Sequence, residues 1–313
     1  MIVDFSSLMR RASDKLSMGF AILDRLAPDL TAEPMRAAAE QLGPRTHYKH
    51  FPDACHALVE QTRLRHGPEA VRNLLAVSLW QGMVDMLGSG KWQGLPARVQ
   101  AHQARQLERL LVQQPQDGQW QTLSDDGYQK DFGLATLRLY AAAAQLVDPR
   151  CGIARSIVWR AGLGGLAPAC RMVVDLRGFA PMFQIHTHTA YLDEFNEEGW
   201  NECYRTCADL YALHPECLGM FGGSWFYDPV LASISPRLTY LSAIPIAGGA
   251  HRVLAESEGD FVQDAIATSP SRRQLFEAGR YRPRSFLLAW SQSAQRRWAA
   301  SNPGPAHPAA NRP

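Results

Sequence analysis

The segment Gln184-Ile-His-Thr-His-Thr-Ala-Tyr-Leu-Asp-Glu194 gathers the residue types best suited to chemistry, two histidines two positions apart with two acids close behind. On an extended strand, side chains alternate between faces, so His186 and His188 project to the same side, roughly 6 to 7 Å apart. Imidazole nitrogens so placed can converge on one ion at about 2.1 Å from each. A carboxylate from Glu194 then completes a two-histidine, one-carboxylate face, which suits non-heme iron and, less exclusively, zinc. His251 is the reserve ligand, whereas His214 stands at an expected helix end, where it meets terminal carbonyls. Asp193 reads as the N-cap of the following helix. The same histidine pair can instead serve a metal-free cleft as acid and base, and one of them can ligate heme.

Other residues extend this picture. Ser224-Trp-Phe-Tyr-Asp-Pro229 is aromatic and follows Gly222-Gly223, where backbone can approach another group closely. Tyr227 and Asp228 there, together with Glu194, are the expected catalytic groups. Arg237, Arg272, Arg273, Arg280, Arg282 and Arg284 make the last third locally basic, and Arg237 and Arg272 with Trp225 are the expected contacts to a small polar or amino-acid-like substrate. His47, His50 and His56 do not share one helical face and read as incidental. Cys203 and Cys207 are one helical turn apart, the pattern of two small buried residues on an apolar stripe. No GxGxxG follows a strand, and GxxxxGK[ST], HExxH and GxSxG are absent, so dinucleotide, P-loop, zincin and α/β-hydrolase chemistry drop out.

The chain that must position these groups has 313 residues, 46% of them apolar and 20% charged, enough for one large or two modest domains with real cores. Lys plus Arg number 32 and Asp plus Glu 30, so no overall field draws nucleic acid or acidic membranes. The start of the chain lacks a basic segment followed by an apolar one, and Asp85 or Arg138 interrupts the most apolar stretches. Six scattered cysteines without a CxxC pair read as reduced thiols, and the expected location is cytoplasmic.

Hydrophobic periodicity divides the chain into a mostly helical portion, 1–148, an α/β sheet portion, 149–300, and a disordered tail, 301–313. Helices are expected over 31–42, over 68–87 with Val71, Leu74, Leu75, Leu79, Met83 and Leu87 on one face, over 97–114, and over 131–146. Strands are expected at 157–160, 171–176, 182–189, 217–226 and 285–290, with a helix over 193–213 and another opened by Ser269-Pro270 and closed by Gly279. The fold class is α+β, a helical N-terminal portion followed by a mixed sheet with flanking helices. The leading functional expectation is a metal-dependent enzyme, a non-heme iron oxidoreductase.

The run Leu275-Phe-Glu-Ala-Gly-Arg-Tyr281 before the strand Phe286-Leu-Leu-Ala-Trp290 resembles the closing part of the GNAT acyl-CoA N-acyltransferases, in which a helix ending in a Leu-Tyr-Glu-x-x-Gly-Phe-like phrase precedes the last strand. The resemblance spans 155–290 and implies an acyltransferase using the histidines as acid or base without metal. It also implies a phosphate-cradling R/Q-x-x-G-x-G/A loop after the central strand, where this chain has Asp193-Glu-Phe-Asn-Glu-Glu198.

Overall fold

The computed structural model describes residues 4–30, 35, 47–112, 120–160, 162–179, 181–256, 259 and 261–305. The helix expected over 31–42 lies outside the described residues except for Met35. The fold is mixed α+β, and the chain forms two units. One takes in residues up to Asp148 together with Thr187–Leu192; the other comprises Pro149–His186 and Asp193–Gly304. No described helix is long and apolar enough to cross a membrane.

The first unit is built on α1 (Phe5–Leu26), α2 (Asp53–Gly88), α3 (Ala97–Val112) and α4 (Asp126–Ala135). Asp4 and Asp125 cap α1 and α4 by accepting from the backbone N–H of Ser7 and Tyr128. Helix α2 breaks at Gly67 (φ 81°), just before Pro68, so its apolar part starts where the periodicity places it. The expected stripe is buried, but so are Ala76, Val77, Ser78 and Trp80, because α1 and α4 both pack on α2 and leave the middle of the helix little solvent-facing side. The glutamines of α3 turn inward as well: Gln103 donates to the Leu134 carbonyl (2.7 Å) and accepts from the Ala141 N–H (2.9 Å), which satisfies a buried amide.

The helix expected over 131–146 stops at Ala135. Every residue from Leu137 to Pro149 is buried, and the chain forms a hairpin of β1 (Tyr140–Ala142) and β2 (Gln145–Cys151), with Ala142 opposite Gln145 and Ala143 in the left-handed region (φ 51°). Burial on all sides overrides the helix preference of the alanine run, which tertiary packing routinely does. β2 carries the chain into the second unit.

There, the expected strands at 157–160 and 171–176 are helices, α5 (Ile157–Arg160) and α6 (Gly162–Asp175). Their β-branched residues misled the reading; the buried positions Ala169, Met172 and Leu176 follow helical spacing and join Ile157, Met182, Val253 and Leu287 in one core. β3 (Met182–His186) and β4 (Gly219–Ser224) are parallel, linked through α7 (Glu197–Leu210). Short helices α8 (Leu231–Ile234) and α9 (Tyr240–Ala247) lead to β5 (His251–Glu256), then α10 (Phe261–Ala267), α11 (Pro270–Glu277), β6 (Ser285–Ser291) and α12 (Gln292–Ser301). The strands lie in the order β3-β4-β6-β5, with β6 antiparallel to both neighbours.

Helix α7 buries the expected stripe of Trp200, Cys203, Tyr204, Cys207 and Leu210. Its N-cap is Asn196, accepting from the Gly199 N–H (3.0 Å), rather than Asp193; residues Thr189–Glu194 form a separate 3-10 turn. Burial raises the Cys203 thiol well above its ordinary pKa, so it stays protonated, as a packing residue does. In α11, Ser269 accepts from the Arg272 N–H, Pro270 stands at the first helical position and Gly279 (φ 69°) follows the end, as read from the sequence.

The Trp290 ring of β6 is fully buried, and its indole N–H donates to the Gly248 carbonyl (2.9 Å). A Cβ on Gly248 would stand 2.2 Å from that ring. Gly248→Ala is therefore expected to cost about 1 to 3 kcal/mol through overpacking, read as a lowered urea midpoint with an unchanged slope; an unaltered midpoint contradicts this account of the core.

Candidate functional site

Only one histidine of the HxH segment lies on a strand. The alternation that aligns them ends with β3 at His186, which is half-buried in the second unit. His188 belongs to the first unit, where it is 5% exposed. Its Nδ1 accepts the Ala190 N–H (2.9 Å), so the neutral ring carries its proton on Nε2, 3.2 Å from Asp131 Oδ1. Asp131 also accepts from Arg109, whose guanidinium reaches the Tyr191 hydroxyl (3.4 Å) and lies over the Tyr191 ring at 5.6 Å. Lys130 fixes the same segment by donating to the Thr187 carbonyl (2.7 Å), and Thr187 Oγ1 donates to Gln145 Oε1 (3.0 Å).

The carboxyl of Asp131 is buried, and burial alone would raise its pKa. The hydrogen bond from His188 and the charge of Arg109 outweigh that cost and hold it below its ordinary value. Tyr191 moves the other way, its phenol pushed far up by burial despite Arg109, so it remains a neutral donor and acceptor. His188 Nδ1 is bonded to the Ala190 N–H and Nε2 faces the Asp131 carboxylate, so the group acts as a polar pin for residues 187–192. Asp131, Arg109 and Tyr191 were not singled out in the sequence. The available signal was an acid between Tyr128 and Ala135 on a buried helix face, where a charge demands a partner.

The remaining expected ligands scatter. His251 Nε2 pairs with Asp175 (2.8 Å), Glu194 is half-buried at the end of the 3-10 turn, and His214 pairs with Glu216 (3.2 Å). Among the described residues, His186, Glu194 and His251 do not bring three ligand atoms within 4.8 Å of one another. His47, read as incidental, has its Nε2 3.5 Å from the buried Asp148.

The expected substrate contacts gather better, on the short turn after β4. Asp228 is 2% exposed and accepts from Arg284 through both oxygens, Nη2 to Oδ1 at 2.9 Å and Nε to Oδ2 at 3.3 Å. Arg272, buried, lies over the Trp225 ring at 4.7 Å and donates to the Ala265 carbonyl (2.6 Å) and Ser235 Oγ (3.3 Å). Burial, then the like charge of Arg237, lower its pKa, while Tyr281 opposes. Arg237 itself is exposed. Arg252, unmarked in the sequence, donates weakly to the Tyr227 carbonyl (3.5 Å) and senses the charge of Asp228. Tyr227 is buried, and burial keeps its hydroxyl protonated far above the ordinary range.

Beside this cluster, the parallel ladder of β3 and β4 is short. It runs through Phe183–Met220 and Gln184–Phe221, while β3 continues to His186 and β4 to Ser224. The other edge of β4 stays paired with β6 along its whole length. A Cβ on Gly222 would meet Ile185 at 2.8 Å and the Tyr227 hydroxyl at 3.1 Å, whereas one on Gly223 would meet nothing within 4 Å.

No protein-family model and no curated protein matches the chain in sequence. Among solved structures, a match covers 75% of this chain and 76% of an acyltransferase described in complex with decanoyl-CoA and teicoplanin, at a TM-score of 0.41 and 13% identity.

Because the folded carboxyl of Asp131 titrates below its unfolded value, its contribution is fully present above about pH 4 and is lost as pH falls through the folded pKa. Asp131→Asn should cost about 3 kcal/mol at neutral pH by removing the buried carboxylate that faces Arg109. In unfolding titrations the gap between variant and wild type should close below about pH 4; parallel curves down to low pH would refute the pin.

Proposed function

We propose that this protein is an acyltransferase that takes its acyl group from a coenzyme A thioester and passes it to an amine on a small molecule. The observation that carries this reading is the interruption of the β3–β4 ladder after Gln184 and Phe221. From Gly222 onward β4 is paired on its β6 side and has left the ladder on its β3 side. An extended arm bearing amides, as in coenzyme A, can take up main-chain hydrogen bonds at such a place in the way an added strand does. Gly223, with open space where a side chain would stand, lets that arm approach.

The helix-then-strand arrangement implied by the GNAT resemblance supports the same reading, since α11 ends at Glu277, Gly279 turns the chain and β6 follows. The resemblance does not extend to the phosphate cradle. Helix α7, capped by Asn196, opens with Glu197 and Glu198, whose carboxylates repel a pyrophosphate. The charged end of the donor must therefore be held elsewhere.

In the transfer, the amine nitrogen attacks the thioester carbonyl, the C–N bond forms and the C–S bond breaks, and the sulfur leaves with the electron pair and takes up a proton. The proton released by the amine needs an acceptor. His186, at the tip of β3 just past the end of the ladder, is the group assigned to that role.

Acetyl-CoA and longer acyl-CoAs, tested with a panel of primary amines, should release free thiol. Saturation near 100 times Kd should add about 2.7 kcal/mol of stability in thermal unfolding. His186→Ala should lower kcat by about 100-fold or more while keeping that stabilisation. Neither thiol release nor stabilisation with any acyl-CoA would reject the reading; loss of stabilisation in His186→Ala would instead make the residue a binding group.

A further inference from the structure

We infer that the arginine-rich turn after β4 is a binding site for the phosphoryl group of a small molecule, with Tyr281 as a hydrogen-bond donor inside it. Arg284 and Arg252 face the Asp228 carboxylate, Arg272 with Arg284 and Asp228 lies within reach of the Tyr281 hydroxyl, and Arg237 neighbours Arg272. Arg284 pairs with Asp228, and among the described residues the other three cations have no ion pair. Clustered like charges destabilise one another unless an anion joins them, and a dianion with several oxygens accepts from more than one guanidinium.

Tyr281 is a second and independent observation. It is 2% exposed, and among the described residues its hydroxyl has no hydrogen-bond partner. A buried phenol left without a partner is a cost that native structures seldom carry, and a ligand oxygen removes it. The hydroxyl lies within electrostatic reach of Asp228, Arg272 and Arg284, and burial and Asp228 push its pKa up to about 12, so at neutral pH it donates. The half-buried face of Trp225, already under Arg272, walls the same turn.

This inference does not depend on acyl transfer. If both readings hold, the turn supplies the phosphate contacts that the acidic start of α7 denies. If only this one holds, the protein still binds a phosphorylated small molecule.

Inorganic phosphate, titrated against the full chain at constant ionic strength, tests it by thermal unfolding. Wild type should show a saturable rise in Tm. Tyr281→Phe removes only the unpartnered hydroxyl, so its Tm without phosphate should be unchanged or higher, while its phosphate affinity should fall by about tenfold, the worth of one charge-assisted hydrogen bond. Arg252→Met should abolish the response. Succinate in place of phosphate separates the ligand classes: a response to succinate and none to phosphate overturns the phosphoryl assignment. Absence of any saturable rise, or an equal rise in wild type and both variants, overturns the site.

Discussion

Strand β4 lies between β3 and β6, and its glycines set how near those neighbours come. A side chain at Gly219 would stand 2.3 Å from the Trp290 carbonyl oxygen, so only hydrogen permits the full β4–β6 ladder. At the other end, Gly222 closes on Ile185 and the Tyr227 hydroxyl, and Gly223 opens outward. One short segment therefore fixes the tight packing of the second unit at its start and an unpaired strand edge at its finish. The aromatic and charged turn that follows inherits its position from that edge.

The first unit solves a different problem with a buried carboxylate. Asp131 would be costly alone, and Arg109 and His188 make its burial tolerable, so the three are held together by electrostatic need rather than by apolar contact. Residues Thr187–Leu192 reach this unit although their neighbours on both sides belong to the other. His188, Tyr191 and the Thr187 carbonyl each meet a polar partner there, which gives a short irregular segment a unique seat.

Two polar centres thus have opposite balances. Around Asp131 the carboxylate and the Arg109 guanidinium offset one another. Around Asp228, among the described residues, cations exceed anions and the Tyr281 hydroxyl lacks a partner. A satisfied network specifies structure; an unsatisfied, positively charged one retains capacity for a ligand.

Much of the second unit was legible in the sequence, because its elements carry strong local signals. The stripe of α7, the Ser269 cap with Pro270 and Gly279 on α11, and the apolar run of β6 each follow from periodicity or capping chemistry within a few residues. The arginines, Trp225, Tyr227 and Asp228 were visible as types in a cluster. What the tertiary structure decided was everything that rests on long-range contact. Leu137–Pro149 became a hairpin because it is buried on all sides, and 157–160 and 171–176 became helices because their buried residues face one core at helical spacing. β3 ends at His186, short of His188, because a strand's length is set by partners far away in the chain. Residue type is a local property; the end of a ladder and the partner of a buried charge are not.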